Sequence, residues 1–315
     1  MRTIVTVTAN PALDLTYTVP GIRLGESHRV AAPLARAGGK GVNVSRVAHQ
    51  LDFPTLAVGT CGGSTGALFR ADLDAAGIGH RLVPVAVETR RTIALVDSVN
   101  DRTSIFNEAG PALTAAEWQA LATTVVESLD SSVQGTAGVL VGSGSLPAGA
   151  PPDFYPALVA LAHNAGVPAI VDTSGPGMLA AARAGADLLK PNQHELAEAT
   201  GENGPVAGAR KLLELGARRV LVSAGGDGML AFDAGSPGRY WEARLPVPLS
   251  GNPTGAGDAA VAAAAVALAA GITDPQDILR RATAWSAAAV LMPGAGEISA
   301  RYPQLAEELL VTSHR

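Results

Sequence analysis

Three short apolar runs in the middle of the chain, at 138–141, 168–171 and 187–189, each stop at a polar or glycine-rich signal. The first leads into Gly142-Ser143-Gly144-Ser145-Leu146-Pro147. The second leads into Asp172-Thr173-Ser174-Gly175. The third leads into Lys190-Pro191-Asn192-Gln193-His194-Glu195. Helical patterns at 153–165 and 177–184 separate them. Strand, helix, strand in regular alternation calls for a parallel sheet with helices on both faces. Right-handed crossovers then bring the strand ends to one edge, where a ligand binds.

The same rhythm extends both ways. Residues 3–8 read as a strand, followed by a helix at 42–51, a strand at 55–58 and a helix at 67–76. Further on come a helix at 205–215 and a strand at 219–222. Two stretches break the pattern. Residues 11–36 and 85–107 carry short extended runs without a helix, and 92–97 with 103–106 read as a hairpin about Asn100-Asp101. They predict a small β-sheet projecting from the main body, a lid or a dimer clasp, inserted in one domain spanning 1–315.

Composition narrows the function. A net charge of −5 disfavours a general nucleic-acid binder. Cys61 is the sole cysteine, so no intrachain disulfide forms, which suits a reducing cytoplasm. No His-x-x-x-His spacing offers zinc a site, and the longest apolar run, Ala259–Gly271, is too short for a bilayer. The N-terminus reads as a strand and lacks a basic region followed by a long apolar run. Only three lysines occur, Lys40, Lys190 and Lys211, and the first two lie inside glycine-rich or strand-end motifs. Such a position suits a compact point charge.

The sharpest stretch is Ser250-Gly251-Asn252-Pro253-Thr254-Gly255-Ala256-Gly257-Asp258-Ala259-Ala260. Asn252-Pro253 marks a turn, Thr254 can cap, and the alanine-rich run after it reads as a buried helix. Gly255, Ala256 and Gly257 leave helix-start N–H groups open to an anion. Asp258 places a base in the same turn. An anion cradle beside a base suits phosphoryl transfer to an alcohol. The looser Gly-x-Gly-x-x-Ala reading, a dinucleotide fingerprint, lacks the acidic strand end that should follow.

Other motifs cluster on the same predicted edge. Asn10-Pro11-Ala12-Leu13-Asp14 follows the first strand, and Asp14 can accept sugar hydroxyls. Ala37-Gly38-Gly39-Lys40-Gly41-Val42-Asn43 lets backbone approach a ligand, with Lys40 as a point charge and Asn43 for hydroxyls; it is not a phosphate-binding Walker loop. Arg90, after Glu88-Thr89, can grip a phosphate. Asn192 and Glu195, three apart at a helix start, can face a hydrated metal–phosphate group. Val222 to Gly228 gives a nucleotide shelf. Against these stands Gly62-Gly63-Ser64-Thr65-Gly66, a hydrolase-like Gly-x-Ser-x-Gly, with His163 or His194 as conceivable partners.

Taken together, the chain resembles the ribokinase-like (PfkB) sugar kinases over nearly its whole length. The signatures are Gly38-Gly39-Lys40-Gly41-Val42-Asn43 and Thr254-Gly255-Ala256-Gly257-Asp258. Asn10–Asp14, Glu88-Thr89-Arg90, Asn107–Pro111, Gly142–Pro147 and Lys190-Pro191-Asn192 resemble the phosphosugar branch. The form Asn252–Ala259 leans towards tagatose-6-phosphate kinase. 1-Phosphofructokinase is the alternative, then 6-phosphofructokinase or a kinase of an unphosphorylated hexose. The chain departs at Ala259–Ala263, where glycine is common, and at Gly25–Arg29, where a relative's lysine is missing.

The resemblance implies a three-layer α/β/α domain with a small β-sheet lid, ATP and Mg2+ as donor and cofactor, and a homodimer through the lid. It implies Asp258 as base, with Gly255, Ala256 and Gly257 as anion hole. Asp14, Gly38, Gly39, Asn43 and Ser143 would bind the sugar. Lys40, Arg90 and Arg29 from a partner subunit would hold its phosphate. Lys190, Asn192, Ser223, Gly225, Gly226, Gly228 and Thr254 would border the nucleotide. Glu195, with Asn192, would reach the metal through water. A non-catalytic sugar-responsive protein on the same fold would be expected to lack Asp258.

Overall fold

The computed structural model describes residues 1–100, 102–130 and 136–315. Asp101, at the tip of the expected hairpin, lies outside the described residues. Ten strands form the main sheet, in the order β14-β13-β12-β11-β10-β9-β8-β1-β4-β5. Its parallel part comprises β1 (Thr3–Thr8), β4 (Thr55–Cys61), β5 (His80–Pro84), β8 (Ala137–Ser143), β9 (Ala169–Asp172), β10 (Leu188–Leu189) and β11 (Arg219–Ser223). An antiparallel extension, β12 (Met229–Asp233), β13 (Tyr240–Arg244) and β14 (Leu310–His314), closes one side. The central strands are buried on both faces, hence their continuous Val, Ile and Leu.

One face is covered by α1 (Lys40–Gln50), α8 (Ala256–Ala269), α9 (Pro275–Val290) and α10 (Tyr302–Glu308). The other carries α3 (Ala115–Leu129), α4 (Phe154–Asn164), α5 (Gly175–Arg183) and α7 (Pro205–Leu215), joined by α6 (Gln193–Thr200). Helix α2 (Gly63–Ala75) packs beside β4 and the small sheet. Helix α8 is apolar all round because it is enclosed all round, by α1, α9 and β8. Ala259 to Ala265 have essentially no exposed surface. Methyl-sized side chains let three neighbours approach it closely, and a larger residue there would overpack the core.

The small sheet has the order β3-β2-β6-β7, built from β2 (Ala12–Val19), β3 (Leu34–Gly38), β6 (Arg90–Asp97) and β7 (Arg102–Asn107). Strands β2 and β6 run parallel, with Asp14 opposite Thr92 and Ala12 opposite Arg90. The expected extended stretches thus meet in one sheet. Asp97 anchors its far end by accepting the amides of Ile22, Val99 and Asn100.

Candidate active site

Helix α8 starts on Gly255, whose φ of 83° lies in the left-handed region. A Cβ there would sit 2.7 Å from Ala295 Cα, so both conformation and space exclude a side chain. Thr254, expected to cap the helix, makes no capping bond; instead its amide donates to Asn252 Oδ1 at 3.0 Å. Of the expected anion-hole amides, Ala256 already donates to Pro253 O at 3.1 Å. Among the described residues, the amides of Gly255, Gly257 and Asp258 find no such carbonyl. The open donors are therefore these three, shifted one residue onto Asp258 itself.

Asp258 is buried, and its carboxyl is pushed up to about 6, mainly by loss of solvent. Lys40 and a hydrogen bond from Asn43 pull it down, while the Asp172 charge adds to the rise. Asn43 Nδ2 donates to Asp258 Oδ2 at 2.8 Å. Asn43, expected to serve sugar hydroxyls, thus uses one amide hydrogen to hold the base. Helix α1 brings it there by starting at Lys40, two residues before the expected start, on Gly39 with φ 106°.

Two ammonium groups flank this turn around a carboxylate that sequence reasoning did not place in the site. Asp172 ends β9, is buried, and lies 3.3 Å from Lys40 Nζ and 3.6 Å from Lys190 Nζ. Burial alone would raise its carboxyl, but Lys190, Lys40 and the Ser143 hydroxyl outweigh that and hold it low. Lys190 is itself buried, and a Cβ on Gly257 would come 3.2 Å from its Nζ. The missing side chain lets the ammonium lie against the open amides. Lys40, expected at the sugar phosphate, faces Asp172 and Glu195 Oε1 instead, the latter at 3.8 Å.

These groups line one cleft of about 1040 Å³. Ser223, Gly225, Gly226, Gly228 and Thr254 border it on the other side. Asn192 and Glu195 also line it, but form a capping box. Asn192 Oδ1 accepts the amides of His194 and Glu195, both at 2.9 Å, and Glu195 Oε2 accepts that of Asn192. Their three-residue spacing first serves the helix start. Only Glu195 Oε1 remains turned to the cleft.

On the small sheet, Asp14 fits against Gly38, where a Cβ would lie 1.9 Å from Asp14 Oδ2. Burial pushes the Asp14 carboxyl up to about 6, opposed by a Thr92 hydrogen bond and by Arg90, Arg46 and Arg36. Arg90 donates to Asn10 O at 3.2 Å and to Glu108 O at 3.3 Å. Ser143, expected to touch substrate, is buried beneath the cleft and donates to Asp172 at 3.2 Å. Its neighbour in the same motif, Ser145, accepts from Asn10 Nδ2 at 3.2 Å, beside Arg90. The two serines part because β8 ends at Ser143 and Gly144, with φ 114°, turns the chain before Ser145. Arg29 is exposed on the segment between β2 and β3.

The hydrolase reading fails on geometry. Ser64 Oγ donates to the Glu88 carboxylate at 2.8 Å. His163 is held by Asp187 at 2.8 Å, before β10 and so at the opposite edge of the sheet.

Comparison with known proteins identifies the family. The chain is 36% identical over 300 residues to the ATP-dependent 6-phosphofructokinase isozyme 2 of Mycobacterium tuberculosis, covering 92% of this chain and 85% of that one. It is 36% identical over 308 residues to the 1-phosphofructokinase of Rhodobacter capsulatus, covering 95% and 92%. The structure superposes on Escherichia coli phosphofructokinase-2 in complex with fructose-6-phosphate with a TM-score of 0.86, at 29% identity, over 98% and 99% of the two chains. The pattern of the pfkB family carbohydrate kinases matches residues 3–301, so the chain belongs to that family and is a sugar kinase.

Proposed function

We propose that this chain transfers the terminal phosphoryl group of ATP to a hydroxyl of a fructose monophosphate, giving fructose 1,6-bisphosphate. The observation that carries the transfer is the turn at Gly255–Asp258, where open amides, the Lys40–Asp172–Lys190 cluster and a buried base converge. Asp258 Oδ1, the oxygen not committed to Asn43, takes the proton of the attacking hydroxyl. The amides of Gly255, Gly257 and Asp258, with the two ammonium groups, stabilise charge on the group in transit.

ATP fits the cleft by size and by its glycine shelf at Gly225–Gly228. Among the described residues no group of three acids or histidines could bind a metal unaided. Mg2+ suits this arrangement, because it keeps its waters and takes phosphate oxygens. Glu195 Oε1 would reach it through water.

Asp14 and Gly38 present the acceptor, and Arg90 with Asn10 and Ser145 offers its phosphate a seat. The Asn252–Ala259 form leans towards tagatose 6-phosphate. The two curated relatives, equally identical and both named phosphofructokinases, favour fructose phosphates instead. Leu34, Ile105 and Phe106 are exposed on the small sheet, and a second copy covering them would bring in Arg29. No helix among the described residues is long and apolar enough to cross a membrane.

The test is coupled ADP release with fructose 1-phosphate, fructose 6-phosphate, tagatose 6-phosphate and fructose. One fructose monophosphate should exceed free fructose in kcat/KM by roughly 10- to 150-fold, the worth of one charge-assisted contact. Preference for free fructose would sink the phosphosugar reading and leave the kinase intact.

A further inference from the structure

Arg36 sits on β3 directly opposite Asp14 in the β2–β3 register. Its guanidinium leaves the small sheet altogether. Nη2 meets Glu297 Oε1 at 2.5 Å, and Nη1 lies 3.5 Å from Ala295 O. Both partners belong to the loop after α9, in the main body. That loop is wedged against the catalytic turn. Ala295 occupies the space where a Gly255 side chain would be, and a Cβ on Gly296 would come 2.8 Å from Arg46 Cδ and 3.3 Å from Asn43 Oδ1. The next β3 residue is fixed as well: Ala37 O accepts from buried Arg46 at 3.2 Å, and Ala37 N donates to Asp72.

A solitary surface ion pair would carry little meaning. This one is half-buried, with side-chain exposures of 25% and 33%, and ends on the backbone that shapes the anion hole. One arginine therefore spans from the strand that presents the acceptor to the loop that supports Gly255.

We propose that Arg36 is a positioning residue that ties the acceptor's seat to the anion hole, so that the Gly255–Asp258 amides reach their working geometry only when the small sheet has settled on the phosphosugar. This rests on the acceptor reading above. It gives the chain a reason to hold ATP without hydrolysing it. The Arg36–Glu297 joint is made in this structure, so a sheet that shifts away in the absence of sugar phosphate would drag the loop off Gly255, and small misplacements near a reacting centre cost rate steeply.

Hydrogen exchange with fructose 6-phosphate or fructose 1-phosphate reads this directly in the full-length chain. In the parent, sugar phosphate should protect both the small sheet and the amides at 254–258. In Arg36→Gln the sheet should still be protected and the turn should not. Glu297→Gln, which keeps the shape of its side chain, should behave alike, so a folding defect at Arg36 alone does not decide the matter. Each variant should lose kcat by roughly tenfold with KM for ATP little changed. The double variant should be no worse than either single one, as for two residues acting through one contact. Arg36→Lys should recover part of the rate, since an ammonium keeps the ion pair but not the paired contact to Ala295 O. Equal turn protection in Arg36→Gln and parent, or multiplying losses in the double variant, would overturn the inference. No sugar-dependent protection or ADP release in the parent would instead overturn the acceptor reading beneath it.

Discussion

Asn43 and Asp258, 215 positions apart in the chain, are joined by a 2.8 Å hydrogen bond that leaves one carboxylate oxygen free. On the function proposed above, the bond fixes which oxygen of Asp258 would meet an acceptor. It opposes the burial that pushes the same carboxyl up to about 6.

Asp258 must be ionised to accept a proton, and its carboxyl titrates at about 6. Activity should therefore fall as pH drops through 6, tenfold for each unit below it, with the plateau above 7. Asp258→Asn should lower kcat by about 10²–10⁴ and abolish that acid limb, with sugar binding kept. A pH–rate profile of the variant within threefold of the parent's plateau would remove Asp258 from the role.

The same shift predicts a stability change of opposite sense. The folded carboxyl binds its proton at about 6 against 3.8 in a free chain, so the folded state holds the extra proton between those values. Stability from this group is present below 3.8 and is lost as pH rises through 6. Asp258→Asn carries no such charge. Its stability relative to the parent should rise by about 2–3 kcal/mol between acid and neutral pH. Thermal melts of both proteins at several pH values check this, and a constant gap would contradict it.

Arg90→Ala should raise KM for the phosphosugar by roughly 10- to 150-fold, the worth of a charge-assisted hydrogen bond. KM for ATP and weak activity on free fructose should hardly move. Loss of all three together would mean that Arg90 serves only the carbonyls of Asn10 and Glu108 that it binds here.

Gly38→Ala tests the seat of Asp14 directly. Its methyl would lie 1.9 Å from the Asp14 carboxylate, so either strand β2 or Asp14 must move. Sugar-dependent turnover should fall by at least an order of magnitude, the usual cost of misplacing a positioning group. ATP binding, measured by calorimetry, should persist.

Much of this fold was legible because parallel strands announce themselves twice, by a β-branched run and by the polar residues where it stops. Strand β10 has only two residues, yet Lys190-Pro191-Asn192 marks its end. The expectations omitted α3, α9, α10, β5 and the antiparallel strands β12 to β14, of which α3, α9 and β12 to β14 are the informative cases. Helices α3 and α9 had signals: Thr114 with Glu117 forms a capping box, and Asp274 caps α9 just before Pro275. The last three are partly exposed and lack a run long enough to stand out.

Site residues divided differently. Residues at strand ends and helix starts were readable as sharing one edge, and Lys40, Lys190, Asn192 and Asp258 do line one cleft. Which residue faces which was not. Ser143 and Ser145 are alike in sequence, and only the end of β8 at Ser143 and the turn at Gly144 decide that one is buried against Asp172 and the other is not. Asp172 was quoted as a motif but given no role, since its two lysines come from β3–α1 and β10 and meet it only in space.

Asp14, Gly38 and Arg90 belong to the four-stranded sheet, whereas Asp258 and its amides belong to α8 in the body. On the function proposed above, the two jobs of a transferase are written on separable pieces of chain. What the molecule accepts could be rewritten by grafting the outer strands alone. The joints that would have to survive such a graft are the arginine reaching back to the loop beside Gly255, the grip of Arg46 and Asp72 on Ala37, and the bond from Arg91 to Thr65.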